Sequence, residues 1–175
     1  GVERARQFCG ILSEAWYDSG KRRKGDEVAP IRASIEGYLY RICGRPLTED
    51  ASRALVDPAE LVAILSLTWR LLETAVEDWL EKHGRDGYAS GNVFFRRGLV
   101  LPDLFKDDHA YAELSVLSSY TLSVTLAEQF ANTDRKDNKS ALVHADFYLM
   151  RGRVLFFSPF VPGMRSFQLE AGVIP

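Results

Sequence analysis

The stretch FFRRGLVLP, Phe94 to Pro102, is where this 175-residue chain changes from one structural grammar to another. Upstream of it, apolar residues recur at three- and four-residue steps, the signature of one buried helix face. Val2 to Tyr17 carries Ala5, Phe8, Cys9, Leu12 and Trp16 in that pattern, and Ile31 to Cys43 carries Ile31, Ile35, Tyr38, Leu39 and Ile42 before Gly44-Arg45-Pro46 stops it. Asp57-Pro58-Ala59-Glu60 is a helix start, with a capping aspartate, a proline at the first helical position and a glutamate placed to close a capping box. That helix is predicted to run to about Lys82, with Leu61, Ile64, Leu65, Leu72, Val76 and Leu80 inward and His83-Gly84 ending it. Downstream, Val93 to Phe95, Ala141 to Tyr148, Val154 to Phe157 and Phe167 to Ile174 read as strands, with a helix from Ser123 to Ala131 between the first two. The order predicts an α+β fold in one compact unit, a helical N-terminal lobe over residues 1–88 followed by a mainly antiparallel β core over residues 89–175.

Composition narrows the function classes. Hydrophobic residues make up 46% and charged residues 26%, as in a soluble globular protein, and no run approaches the roughly 18 apolar residues that cross a membrane. A formal charge of −2 gives no overall attraction to nucleic acid or anionic lipid. The basic run Lys21 to Lys24 sits among glycine and acidic neighbours and reads as a solvated loop, as does Asp134 to Lys139. Arg4, Arg6 and Glu14 interrupt any signal-peptide core at the start of the sequence. Cys9 and Cys43 lie in helical patterns without a partner motif and are expected to be buried free thiols. His83, His109 and His144 have no metal-ligand spacing, and His144 is expected as a hydrogen-bonded core histidine on its strand; no metal site is expected. No HExxH, phosphate-binding loop, nucleophile elbow or GxGxxG is present.

Four fragments stand in a meaningful order: FFRRGLVLP, SYTLSVTLAEQFA (Ser119 to Ala131), RVLFFSPF (Arg153 to Phe160) and SFQLEAGVIP (Ser166 to Pro175). An aromatic strand leading to Arg-Gly-Leu, a Ser-x-Thr before a helix with Ala-x-x-Phe-Ala, and a Gln-x-Glu near the end together resemble the arginine–serine–glutamate class of mono-ADP-ribosyltransferases. The resemblance covers roughly Phe94 to Pro175. It implies the β-sandwich fold of that family, NAD as substrate, and transfer of ADP-ribose to a macromolecule by a bacterial or phage toxin or effector. Such a protein would be secreted and would act in the cytosol of a target cell on a host or competitor protein, with no metal, no membrane partner and no expected nucleic-acid target.

The chemistry of NAD cleavage explains why those residue types matter. Breaking the nicotinamide–ribose bond builds positive charge on the sugar, so a carboxylate is needed beside the ribose and a cation beside the pyrophosphate. The resemblance assigns the cation to Arg97, with Gly98 letting the backbone turn toward the ligand and Arg96 as the alternative if the strand register slips by one. Ser119 and Thr121 are expected on one strand face, orienting the carboxylate and binding the ribose, with Tyr120 departing from the family pattern between them and Ser118 as an alternative hydroxyl. Ala127, Phe130 and Ala131 are expected to pack the core side of the helix that follows.

Glu170 takes the catalytic carboxylate's place, and Gln168, two residues earlier, is expected on the same strand face. In this family a glutamate at the Gln168 position accompanies arginine acceptors, whereas the Rho-modifying exoenzymes carry glutamine, so Gln168 points to an acceptor other than arginine. The resemblance makes Pro159 to Phe167 the substrate-recognition loop, with Phe160 and Phe167 as aromatic contacts to the target and Phe160 also expected to bind NAD. Two alternatives remain open at this stage: a catalytically inactive binding module of the same fold, and an NAD glycohydrolase in which water replaces the acceptor.

Overall fold

Asp57 starts the longest helix as its sequence predicts. Its Oδ1 accepts hydrogen bonds from the amides of Ala59 (2.8 Å) and Glu60 (2.9 Å), and the Glu60 carboxylate accepts one from the Asp57 amide (3.1 Å). With orphan amides satisfied at this end, the helix α3 runs Pro58–His83. Leu61, Leu65, Trp69, Leu72, Val76 and Leu80 form its buried stripe; Ile64 is only half-buried, and Trp69 belongs to the stripe although the sequence pattern omitted it. The computed structural model describes residues 2–16, 28–83, 93–101, 117–132 and 139–175. The Lys21–Lys24 run, His109, Pro102 and most of the Asp134–Lys139 stretch lie outside the described residues.

Among the described residues, two further helices precede α3. The first, α1, spans Val2–Gly10 and widens into a π-turn over Ile11–Trp16, so the single helix expected there changes its winding midway while still burying Phe8 and Leu12. The second, α2, spans Ala29–Cys43 and ends at Gly44, whose φ of 69° is the left-handed value that glycine adopts without steric cost. Its last turn projects past the core. Ile42 is consequently exposed, against the expectation for that face, and Cys43 is exposed rather than buried; Cys9 is half-buried and both thiols are free.

Helix α2 also organises the chain that follows it. Ser34 Oγ accepts from the amides of Leu55 and Val56, and the buried carboxylate of Glu36 accepts from the amides of Thr48 and Glu49 and from the Thr48 hydroxyl. Burial pushes the Glu36 pKa up, but those hydrogen bonds and the nearby Arg32 outweigh it and hold the carboxyl below its ordinary value of 4.5.

Among the described residues, the second half forms a five-stranded sheet. Its strands are β1 Phe94–Leu101, β2 Ser118–Thr121, β3 Lys139–Asp146, β4 Val154–Phe157 and β5 Glu170–Val173, in the order β3-β1-β2-β5-β4. Every pairing is antiparallel. The strand expected over Phe167 to Ile174 is shortened, because Ser166–Gln168 is a 3₁₀ turn and Leu169 takes a left-handed conformation before β5 begins. The strand expected to reach Tyr148 stops at Asp146, where Phe147 turns inward. The described strands form this one sheet rather than two facing sheets.

Period-two alternation gives the sheet two unlike faces. One packs on α3, where Trp69, Leu72, Val76 and Leu80 meet Phe95, Tyr120, Phe157, Ala171 and Val173. On the opposite face lies the helix α4, Val124–Ala131, capped by Ser123 as its sequence predicts. A Cβ built on Gly98 would stand 2.2 Å from the Ala127 carbonyl oxygen and 2.4 Å from the Ala131 amide nitrogen, so the glycine is what admits the helix. Ala127 and Ala131 are buried as expected, whereas Phe130 is exposed. A second apolar cluster joins the two halves, with Phe8, Leu12, Ile35 and Leu61 packed among Leu155, Phe156, Val161, Met164 and Ile174.

Gly98→Ala is expected to lower stability by about 2–3 kcal/mol, since backbone atoms must retreat to admit the methyl group. Gly37→Ala, inside α2 with nothing within 4 Å of the added Cβ, is expected to raise it by about 0.5–1 kcal/mol. Urea unfolding of both variants checks the pair, and equal effects would contradict the packing described.

Glu36→Gln is expected to cost about 1–3 kcal/mol at neutral pH, because an amide cannot accept all three hydrogen bonds. A depressed folded-state pKa supplies stability above the unfolded value, lost as pH falls through the folded value. The gap between parent and variant therefore closes only below the ordinary glutamate value of 4.5. A gap that stays constant from pH 7 to pH 3 would contradict the assignment.

Candidate functional site

The three motif strands, distant in sequence, are neighbours in the sheet: β1, β2 and β5 lie side by side. Thr121 pairs with Arg96 on one flank and with Glu170 on the other, and Arg96 pairs in turn with His144 of β3. Directly paired residues of antiparallel strands project to the same face. His144, Arg96, Thr121 and Glu170 therefore form one row across four strands. Ser119, two residues from Thr121, shares the face, and its hydroxyl donates to Glu170 Oε1 at 2.5 Å.

That register places Arg96 and Arg97 on opposite faces, with Arg97 away from Ser119 and Glu170. Arg97 alternates to the opposite face, the one packed on α3, where its guanidinium lies 5.9 Å from the centre of the Tyr120 ring. Its Nη1 is buried without a hydrogen-bond partner. Burial pushes the Arg97 pKa down, with Tyr120 acting against the shift. Arg96 is the arginine on the Ser119–Glu170 face. It is 8% exposed, and its Nη1 donates to the carbonyls of Phe94 (3.1 Å) and Leu122 (3.4 Å) while Nε has no partner. The sequence could not choose between the two because Phe94 and Phe95 are equally suited to the core, and only the register shows that Phe95 is the fully buried one.

Other expected site residues have structural duties. Gly98 sits inside β1 and receives α4 instead of turning the backbone toward a ligand. Thr121 is buried, and its hydroxyl donates to the Gln168 carbonyl (2.7 Å) and accepts from the Ser123 amide (3.0 Å), which commits it to protein partners. Ser118 and Tyr120 alternate to the α3 side, so Ser118 cannot replace Ser119. Gln168 belongs to the 3₁₀ turn and not to β5, which removes the premise that it leaves the same strand face as Glu170. His144 is exposed on an edge strand, edge-on to Phe94 with ring centres 6.3 Å apart, and is not a core histidine.

The segment before Glu170 presents aromatic surface. Phe160 is 39% exposed with its ring edge-on to Phe157 at 5.3 Å, and Phe167 is 72% exposed. Val161 and Met164, between them, are anchored in the cluster that contains Phe8 and Leu12. Ser158, which the sequence reading passed over, is buried at the end of β4 and its Oγ accepts from the Glu170 amide at 2.9 Å. Among the described residues, no group of three or more histidine, cysteine, aspartate or glutamate side chains could hold a metal ion. No described helix is long and apolar enough to cross a membrane.

No family model, curated protein or solved structure matches this chain.

An unpaired buried donor gains nothing from its charge. Arg97→Met, which keeps the apolar stem of the side chain and removes the buried Nη1 donor, is therefore expected to change stability in urea unfolding by less than about 1 kcal/mol, the relieved donor offsetting the lost contact with Tyr120. A loss of more than about 1 kcal/mol would show that the guanidinium has a stabilising partner.

Proposed function

We propose that this protein cleaves NAD at the nicotinamide–ribose bond and transfers ADP-ribose to a macromolecular target, as a mono-ADP-ribosyltransferase. The observation that carries the reading is the meeting of Ser119 with Glu170 on a sheet face that also carries Arg96. These come from three separate fragments of the resemblance, and nothing in their sequence spacing obliges them to share a face. The described residues form helices and one five-stranded antiparallel sheet, an α+β architecture, and the family's β-sandwich belongs to this proposal.

In the reaction, the bond between C1 of the ribose and the nicotinamide nitrogen breaks, its electron pair leaving with nicotinamide. The Glu170 carboxylate stabilises the positive charge that develops on the ribose. Ser119 orients that carboxylate by donating to it. Arg96 takes the role that the resemblance gave to Arg97, binding the pyrophosphate after releasing the Phe94 and Leu122 carbonyls. A nucleophile of the target then bonds to C1 and loses its proton. Gln168, neutral and half-buried in the turn that exposes Phe167, suits a target amide or hydroxyl better than arginine. Phe160 and Phe167 supply apolar contact surface for a target protein of a host or competitor cell, which fits a secreted toxin or effector.

Incubation with labelled NAD and a cell lysate tests the reading. Labelled protein is expected, with Glu170→Ala lowering turnover by about 100-fold or more while NAD still binds. Arg96→Ala is expected to weaken NAD binding and Arg97→Ala to spare it. Free ADP-ribose with no labelled macromolecule would replace transfer by NAD hydrolysis, and no turnover at all would reduce the protein to a binding module. Undiminished activity of Glu170→Ala would remove the central assignment.

A further inference from the structure

Leu169 is the one residue other than glycine with a positive φ among the described residues, at φ 45° and ψ 38°, and it immediately precedes Glu170. A left-handed conformation brings Cβ against the backbone, so a leucine holds it only where its surroundings dictate it. Here they do. The Leu169 amide donates to the Ser166 carbonyl and its own carbonyl accepts from the Leu122 amide, both at 3.2 Å. On the preceding residue, the Gln168 carbonyl accepts from Thr121 Oγ1 at 2.7 Å; on the following one, the Glu170 amide donates to Ser158 Oγ at 2.9 Å. Two buried hydroxyls, one from β2 and one from the end of β4, thus hold the turn from either side.

The consequence concerns direction. A regular strand through 168–170 would send Gln168 and Glu170 to one face. The left-handed residue breaks that alternation, leaving Gln168 in the 3₁₀ turn while Glu170 enters β5 opposite Thr121, within reach of Ser119.

We propose that Thr121 and Ser158 are positioning residues whose hydroxyls hold Leu169 left-handed and thereby aim the Glu170 carboxylate at the reacting ribose. This rests on the NAD-cleaving reading above. It departs from the sequence expectation for Thr121, which made that hydroxyl a contact to the ribose itself. A ribose contact acts on bound substrate and transition state alike and shows in affinity, whereas aiming the carboxylate matters most once charge develops and shows in turnover.

The test measures NAD affinity and the turnover number for NAD cleavage in the full chain and in Thr121→Val, Thr121→Ser and Ser158→Ala, with thermal melting to establish that each is folded. Thr121→Val and Ser158→Ala are each expected to lower kcat by about 10-fold or more with NAD affinity changed by less than about 2-fold. Thr121→Ser, which restores the hydroxyl, is expected to recover most of the parent kcat. An active parent whose Thr121→Val variant loses NAD affinity while keeping kcat would overturn the positioning role in favour of a ribose contact. An active parent with parent-like Thr121→Val and Ser158→Ala would overturn it outright, as would a folded Thr121→Ser no more active than Thr121→Val. A parent that does not cleave NAD overturns the reading beneath the inference, a failure visible before any variant is compared.

Discussion

The pairing of Thr121 with Glu170 across β2 and β5 is the constraint on which the site depends. Side chains alternate along a strand, so that one register sets the face on which Ser119, Thr121 and Glu170 stand. The pairing of Thr121 with Arg96 then extends the choice to β1. A slip of one residue between β1 and β2 would exchange Arg96 for Arg97 and put a guanidinium where Phe95 is now buried. Each face already carries one arginine, so what opposes the slip is the loss of Phe95 from its packing beside Trp69, Leu72 and Val76.

Missing side chains determine the two flanks of the face as much as present ones do. Gly98 gives its place to the backbone of α4, and the missing Cβ of Gly172, the residue paired with Ser119, gives its place to the Phe156 ring, 2.1 Å from where that Cβ would stand. Ser119 lies between them in the same row. The helical half reaches the site through the segment before Glu170, since Val161 and Met164 share a core with Phe8 and Leu12, and a Cβ on Gly163 would stand 3.2 Å from that of Ser13. Sequence-distant helices therefore fix the base of the aromatic turn that carries Phe167 and Gln168.

What the sequence made legible follows the range of the forces involved. The Asp57–Glu60 capping box, the Gly44 stop and the Ser123 cap are local interactions within a few residues, and each stands where its chemistry placed it. The α+β order and the Ser119–Glu170 partnership were also legible, the second only through a resemblance of motif order. Choosing Arg96 over Arg97 required knowing which of two adjacent phenylalanines faces α3, which is decided by packing across the sheet. The left-handed Leu169 was invisible because no local preference of leucine favours it and the hydrogen bonds that impose it come from β2 and β4. Gly98 misled for a related reason: a glycine that admits a ligand and one that admits a helix look alike in sequence.

The most direct test is an NMR titration of the amide resonances with NAD. The account predicts saturable shifts concentrated at Arg96, Ser119, Thr121 and Glu170, on the face shared by β1, β2 and β5, with smaller effects at Arg97 and Tyr120 on the α3 side. Shifts concentrated at Arg97 and Tyr120 instead, or no saturable response to NAD at all, would contradict it.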